Sequence, residues 1–278
     1  MNKVYIDNLI RGALLEDVNN RDISSESLFD PAHTSRARFI AKTEGVLCGI
    51  GVALRVFELL DETFQAEVYK KDGSALDRGD IIAEVSGKTL ALLQGERVAL
   101  NLVQHMSGIA AATAAYVRET AGTKAKICDT RKTLPGLRPI QKYAVTCGGG
   151  RNHRFNLSDA VMLKDNHIDA AGSITRAVET VRASIGHTVT VEVETRNLTE
   201  VREALEARAD IIMLDNMTVE MMAEAVKLAA GKAVLEASGG ITMQNIALVA
   251  ATGVDYISIG ALTHSVKALD ISMKFVKD

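Results

Sequence analysis

No stretch of this 278-residue chain reaches the roughly 18 apolar residues that a bilayer span requires, so no spanning helix is expected. Residues 1–11 lack the basic segment and apolar run of a secretory leader, and none is expected. The three cysteines, Cys48, Cys128 and Cys147, are odd in number, widely spaced and free of any Cys-x-x-Cys pattern. That argues against a disulfide framework and a thiolate zinc site, and for free thiols in a reducing cytoplasm. Ser86-Gly87-Lys88-Thr89 imitates the end of a phosphate-binding P-loop, but the required first glycine falls at Ile82, which excludes it. No Ser-His-Asp order and no nucleophilic cysteine context is visible, so positioning and electrostatics are the expected means of any catalysis. A formal charge of −3 argues against general nucleic-acid binding. What is present is ordinary for a globular chain: 47% hydrophobic and 24% charged residues, enough for one large domain or two smaller ones.

One absence is local. Residues 130–158 contain no Asp or Glu, yet they carry Arg131, Lys132, Arg138, Lys142, Arg151 and Arg154, with His153 beside them. Such an excess repels itself unless something anionic sits among the charges. Pro135, Gly136, Pro139 and Gly148-Gly149-Gly150 break the run, so it is not a solvated helix face. It reads as loops that hold cations around a space. Arginine offers a planar fork for carboxylate or phosphate, and lysine a point charge. The expectation is a pocket for a ligand with several negative groups. A basic surface loop for nucleic acid is the plainer alternative, and the lack of an aromatic stacking pattern weighs against it.

Along the chain, residues 1–16 have helical spacing, 36–42 alternate like a strand, and 53–60 read as a helix. Residues 64–69 and 80–85 read as strands around a turn at Asp72-Gly73. Residues 95–119 form a long helical pattern, with Gly108 marking a kink or break. Arg97 and His105 lie on it, read as a surface charge and a hydrogen-bonded helix histidine. Beyond Lys126, apolar strands at 125–129, 160–164, 188–194, 210–215, 233–237 and 254–259 alternate with helices near 173–185, 197–208, 218–230 and 242–252. Repeated β-α units imply parallel strands with right-handed crossovers. A barrel with fewer than eight strands is the expected closure, and a doubly wound sheet is the alternative. Residues 264–277 read as a final helix.

Barrel active sites form at the carboxyl ends of strands. Lys164, Glu194, Asp215 and Ser238-Gly239-Gly240 stand there, and Gly260-Ala261-Leu262 follows the last strand. Each charge alone could be a solvated strand terminus; together they suggest a site. Glu194 and Asp215 suit Mg²⁺, directly or through water, or sugar hydroxyls. The two glycine loops, each ahead of a helix, suit a phosphate.

These residues resemble the quinolinate phosphoribosyltransferases, the decarboxylating type II phosphoribosyltransferases of NAD biosynthesis. The likeness rests on Asp129-Thr130-Arg131-Lys132-Thr133, Gly148-Gly149-Gly150-Arg151-Asn152-His153-Arg154, Leu163-Lys164-Asp165-Asn166-His167, Val193-Glu194, Leu214-Asp215-Asn216 and Glu236-Ala237-Ser238-Gly239-Gly240-Ile241, in order over nearly the whole chain. It implies an N-terminal α/β open sandwich over residues 1–107, joined by a C-terminal helix at 266–278, and an incomplete TIM-like α/β barrel over 108–265. It implies a cytoplasmic homodimer, or a larger assembly containing it, in which Arg97 reaches the neighbour's site. It implies reaction of quinolinate with phosphoribosyl pyrophosphate, with Mg²⁺ as cofactor. Arg131, His153, Arg154 and Lys164, with the partner's Arg97, would bind quinolinate. Lys132 would face the phosphoribosyl pyrophosphate, and Thr130 would bind substrate. Ser238, Gly239, Gly240, Gly260, Ala261 and Leu262 would surround the 5′-phosphate, and His264 would bind substrate. Lys132, Lys164, Glu194 and Asp215 would be catalytic. A nicotinate-specific relative, a molybdenum-transport-associated branch, a non-catalytic phosphometabolite binder and a Schiff-base barrel using Lys164 are the alternatives.

Overall fold

Alternating burial builds the first sheet. In β1 (Thr34–Ala41), Ala37, Phe39 and Ala41 are fully buried while their neighbours are not. β1 pairs antiparallel with β5 (Ile81–Lys88), which also pairs with β3 (Gln65–Val68). The computed structural model describes residues 1–277, in two units. The first holds Met1–Ala114, Leu134–Gly149 and the segment from Ser265. It contains α1 (Lys3–Val18), α2 (Ile23–Leu28), α3 (Ile50–Leu60) and most of α4 (Thr89–Glu119). A small ribbon pairs β2 (Gly45–Val46) with β4 (Ala75–Leu76), and α5 (Arg138–Cys147) follows, with Pro139 in its first turn. Asn2 and Asp22 cap α1 and α2 through side-chain acceptors. Phe39 and Phe57 meet edge to face at 6.2 Å in the core. Burying each ring contributes about 1.5–3 kcal/mol.

Two expectations fail in this unit. The C-terminal segment forms a strand, β12 (Ile271–Phe275), instead of a helix over 266–278. It adds to the sheet beside β1, from Ala41↔Ile271 to Ala37↔Phe275. Ile271 and Met273 are buried and alternate with Ser272 and Lys274, a period of two that overrides the helical reading. Gly108 does not break α4, which runs through it. A Cβ there would collide with the Lys267 carbonyl oxygen, so glycine is needed for that close approach.

The second unit, Ala115–Thr133 with Gly150–His264, is a parallel sheet with helices. Its strands are β6 (Lys126–Cys128), β7 (Val161–Leu163), β8 (Val191–Thr195), β9 (Ile211–Asp215), β10 (Val234–Ser238) and β11 (Tyr256–Ser258). α6 (Asp165–Ala171), α7 (Ile174–Ser184), α8 (Leu198–Glu206), α9 (Val219–Ala229), α10 (Ile246–Ala251) and α11 (Ala261–His264) connect or follow them. The order is β6-β11-β10-β9-β8-β7. This is a cyclic sequence opened between β6 and β7, the order of an incomplete barrel; a doubly wound sheet would reverse direction. The opening is where the cation-rich connection begins and ends. Arg151 makes a single parallel bridge to Cys128 at this edge. Ile127, Leu163, Val191, Val193, Ile212, Leu214, Leu235 and Ile257 supply the apolar bulk of the sheet's buried positions. Among the described residues, no helix is long and apolar enough to cross a membrane.

Candidate active site

Register aligns the strand ends. Ser238 pairs with Asp215 on one side and Ser258 on the other, and Glu194 pairs with Met213. Side chains two apart on a strand share a face. Glu192 and Glu194, Met213 and Asp215, Glu236 and Ser238 therefore turn together toward one space, while Val193, Leu214 and Ala237 turn away into the buried core.

That space is a cavity of about 500 Å³. Thr130, Arg131, Lys132, His153, Arg154, Lys164, Glu194, Asp215 and Ser238 line it, all expected from the sequence. Met162, Met213, Asn216, Glu236 and Ser258 also line it and were not expected. Gly239, Gly240, Gly260, Ala261, Leu262, His264 and Arg97 are not in its lining. Gly260 is nonetheless close by: a Cβ there would meet Lys132 Cδ at 2.9 Å and the His264 ring at 3.3 Å. Thr263 Oγ1 donates to the Lys132 carbonyl at 2.7 Å, tying that loop to the lysine. Leu262 is buried, and Arg97 is exposed on α4.

Of the six cations in the acid-free run, Arg131, Lys132 and Arg154 line the cavity. Arg138 and Lys142 lie on α5 in the first unit, and Lys142 is fully buried there. Neither is in the cavity lining, to which Lys164 from the end of β7 adds a further cation. Burial, and then the neighbouring Arg131 charge, hold the Arg154 guanidinium below its ordinary range. Arg154 Nη1 donates to the Ala160 carbonyl at 3.0 Å, which fixes its fork.

The acids face the same space. Burial, then the Asp215 charge, raise the Glu194 carboxyl; Lys164, whose Nζ is 4.0 Å from Glu194 Oε2, opposes this. Asn216 adopts φ 52°, and its Nδ2 donates to Asp215 Oδ2 at 2.8 Å. A Cβ on Gly239 would strike the Asn216 side chain, and Gly239 and Gly240 both have left-handed φ. The first of these glycines is therefore required by packing. α10 starts at Ile246 and not near Thr242, because Thr242 and Asn245 close a turn first. The loop can offer an anion its backbone N–H groups, but not the helix terminus expected from the sequence.

Beneath the rim lies a layer the sequence reading missed. The Asp129 carboxylate accepts the His153 N–H at 2.9 Å. His153 Nδ1 accepts the Arg154 N–H at 2.7 Å, so in the neutral ring Nε2 carries the proton. Nε2 faces Glu192 at 3.1 Å and Glu236 at 3.5 Å. Protein thus engages both ring nitrogens of His153. Burial, then the Glu192 charge, push the Glu236 carboxyl up to about 7, against the pull of His153. Glu236 Oε1 is buried without a hydrogen-bond partner. The signal existed in Val191-Glu192-Val193-Glu194 and Leu235-Glu236-Ala237-Ser238: an acid two residues before a site residue shares its face.

The arrangement can hold an anion between arginines and lysines on one side, opposite paired carboxylates that favour a cation or hydroxyls. The family model for the quinolinate phosphoribosyl transferase C-terminal domain matches residues 109–274, and that for its N-terminal domain matches 22–107. A Bacillus subtilis protein named as a probable nicotinate-nucleotide pyrophosphorylase (carboxylating) is 48% identical over 273 residues, 98% of this chain and 94% of that one. A Mycobacterium leprae nicotinate-nucleotide pyrophosphorylase (carboxylating) is 43% identical over 95% of each chain. The crystal structure of NadC from Streptococcus pyogenes matches with a TM-score of 0.96 at 46% identity, covering 100% of this chain and 99% of that one. By both family models and by these relatives, the chain belongs to the quinolinate phosphoribosyltransferase family.

Proposed function

We propose that the chain transfers phosphoribosyl from phosphoribosyl pyrophosphate to quinolinate with decarboxylation, giving nicotinate mononucleotide, pyrophosphate and CO₂. The observation that carries this reading is one cavity where Arg131, Arg154, Lys132 and Lys164 meet Glu194 and Asp215. Quinolinate brings two adjacent carboxylates. Arg131, Arg154 and Lys164 suit them, and each charge-assisted hydrogen bond contributes roughly 1.5–3 kcal/mol. Several such bonds select a dianion over a mono-acid. His153 holds the backbone of Arg154 and so positions its guanidinium.

The ring nitrogen attacks ribose C1 as the bond to pyrophosphate breaks and its electron pair leaves with the pyrophosphate. Glu194 and Asp215 favour the positive charge that develops on the sugar, and they suit its hydroxyls. Lys132, held against Gly260 by its loop, suits the phosphate groups. Ser238, the Gly239-Gly240 turn and the Gly260-Ala261-Leu262-His264 loop suit the 5′-phosphate through backbone N–H groups. When the 2-carboxylate then departs as CO₂, the bonding electron pair stays on the 2-carbon, where the adjacent pyridinium nitrogen stabilises it, and that carbon takes up a proton. Arg131 and Arg154 keep the 3-carboxylate, and with it the ring, in place.

Glu194 and Asp215 fit Mg²⁺. They are two carboxylates on one cavity wall, and each other's charge makes a cation welcome. When bound there, Mg²⁺ would supply countercharge to the pyrophosphate. The family resemblance supports a homodimer with the partner subunit's Arg97 completing the quinolinate site, and a cytoplasmic enzyme. Mixing Arg97→Ala with Lys164→Ala should restore part of the activity that each lacks; no restoration would sink the shared site. The direct test of the reaction is CO₂ release with phosphoribosyl pyrophosphate: quinolinate should give it and nicotinate should not react. Tight quinolinate binding without turnover would replace the enzyme by a binding protein.

A further inference from the structure

Cys48, Cys147, Asp72 and Tyr143 form a cluster inside the first unit that the proposed reaction does not use. Cys48 lies ahead of α3 and is fully buried; Cys147 ends α5 and is half-buried. The two sulfurs and the Asp72 carboxylate lie within 4.8 Å of one another. That carboxylate is already occupied. Its Oδ1 accepts the Gly49 and Ile50 N–H groups at 2.9 and 3.1 Å, and its Oδ2 accepts the Tyr143 hydroxyl at 2.9 Å. Little acceptor capacity remains for a metal ion.

The sulfurs are not equivalent. The neighbouring Cys48 thiol holds the Cys147 thiol below the ordinary range, while burial opposes this. Cys48 is pushed strongly upward, first by its Cys147 neighbour and then by burial. A half-buried cysteine, the readier of the two to ionise, thus stands with its sulfur within 4.8 Å of that of a fully buried one. Peroxide-reactive cysteines have this form: a stabilised, accessible thiolate next to a resolving thiol.

We propose that Cys147 and Cys48 are a peroxide-reactive pair that closes to an intramolecular disulfide. The Cys147 thiolate attacks one peroxide oxygen, the O–O bond breaks, and hydroxide leaves. The product is a sulfenic acid on Cys147. Cys48 gives up its proton and attacks the Cys147 sulfur, the S–O bond breaks, and a second hydroxide leaves. With the two thiol protons, the hydroxides become two waters. Two thiols are oxidised and one peroxide is reduced. The disulfide ties the segment ahead of α3 to the end of α5, and a small dithiol reverses it.

The test uses the full chain, hydrogen peroxide, thiol titration after denaturation, and peptide mass mapping. Two of the three thiols should be lost, with a Cys48–Cys147 cross-linked peptide and recovery by dithiothreitol. Cys147 should react at least about tenfold faster than the buried Cys128. In Cys48→Ser, dimedone should trap a sulfenic acid at Cys147. In Cys147→Ser, the same peroxide dose should leave both remaining thiols intact. Equal oxidation of all three cysteines, cross-links only between chains, or zinc held by both sulfurs in the purified protein would overturn the proposal. The wild-type peptide map decides the matter even where a variant folds poorly.

Discussion

The two ends of the parallel sheet handle charge in opposite ways. At the amino ends lies a hollow of about 710 Å³, larger than the cavity at the carboxyl ends. Two of its three acids, Asp210 and Asp255, are matched; Glu206 is the third. Asp210 Oδ2 takes Arg182 Nη2 at 2.9 Å and the Val191 N–H at 2.7 Å. Asp255 takes Lys124 Nζ at 2.7 Å and the Leu235 N–H at 2.9 Å. At the carboxyl ends, Glu194 stands by Asp215, Arg154 by Arg131, and a buried oxygen of Glu236 has no hydrogen-bond partner. Like charges left together cost stability unless a ligand resolves them. Size does not distinguish the two hollows; unresolved charge does. Local rules broken without repair mark the functional end.

The sharpest way to break this comparison is to remove a cation from each end. Arg131→Ala or Arg154→Ala should lower kcat/KM for quinolinate by about 100-fold or more, the loss of one or two charge-assisted bonds. Lys132→Met should cause a comparable loss, carried by phosphoribosyl pyrophosphate. Arg182→Ala at the amino end should change kcat/KM by less than about threefold. Steady-state kinetics with each substrate varied would decide, and similar losses at both ends would end the distinction.

Glu236 sharpens the same comparison through pH. Its folded carboxyl is pushed up to about 7, above its ordinary value of 4.5, chiefly by burial and the Glu192 charge. Between those values the folded state keeps a proton that the unfolded state has released. Stability should therefore be highest below that window and fall as pH rises through it, by on the order of 3 kcal/mol. Glu194 shifts in the same direction. Glu236→Gln removes the buried charge, so its melting temperature should fall less between pH 5 and pH 8. An identical slope in both proteins would place the titration elsewhere.

The rim of the site was legible because it sits where strands end. Lys164, Glu194, Asp215 and Ser238 each close an apolar run, and β-α alternation says which end matters. The layer beneath was missed because Glu192 and Glu236 lie inside runs otherwise read as core. Their role depends on the inner face of a curved sheet, which a single strand does not reveal. Charge counting misled in another way. Arg138 and Lys142 are neighbours of Arg131 in sequence, yet α5 carries them into the other unit. The final strand is not legible locally, because pairing with β1, far away in sequence, decides it. Gly108 looked like a helix breaker, but its reason is the Lys267 backbone, distant in sequence.

A smaller effect is expected from Asp255→Ala. It leaves the Leu235 N–H without its side-chain acceptor and Lys124 without its partner. A lost acceptor for a partly buried N–H costs about 1–2 kcal/mol. Chemical denaturation should register that loss while kcat/KM stays near wild type. A drop in activity without a drop in stability would show that the amino end takes part in the reaction.

The least expected effect separates local from global electrostatics. Lys124 and Lys132 bracket the same strand, β6, and replacing either by methionine moves the net charge of −3 one unit more negative. The field of the whole protein therefore changes by the same total in both. Lys124 is an exposed surface pair with Asp255, its side chain 58% accessible, and such pairs contribute at most about 1 kcal/mol. Lys124→Met should leave kcat/KM unchanged within about twofold at physiological salt, and it should remain so as salt is lowered. Lys132→Met should stay impaired at every salt concentration, because what it lacks is a contact inside the cavity. If the two variants instead lost activity together, and recovered together as salt rose, long-range attraction of anionic substrates would account for both. The carboxyl end would then owe its chemistry to the charge of the chain and not to the groups gathered there.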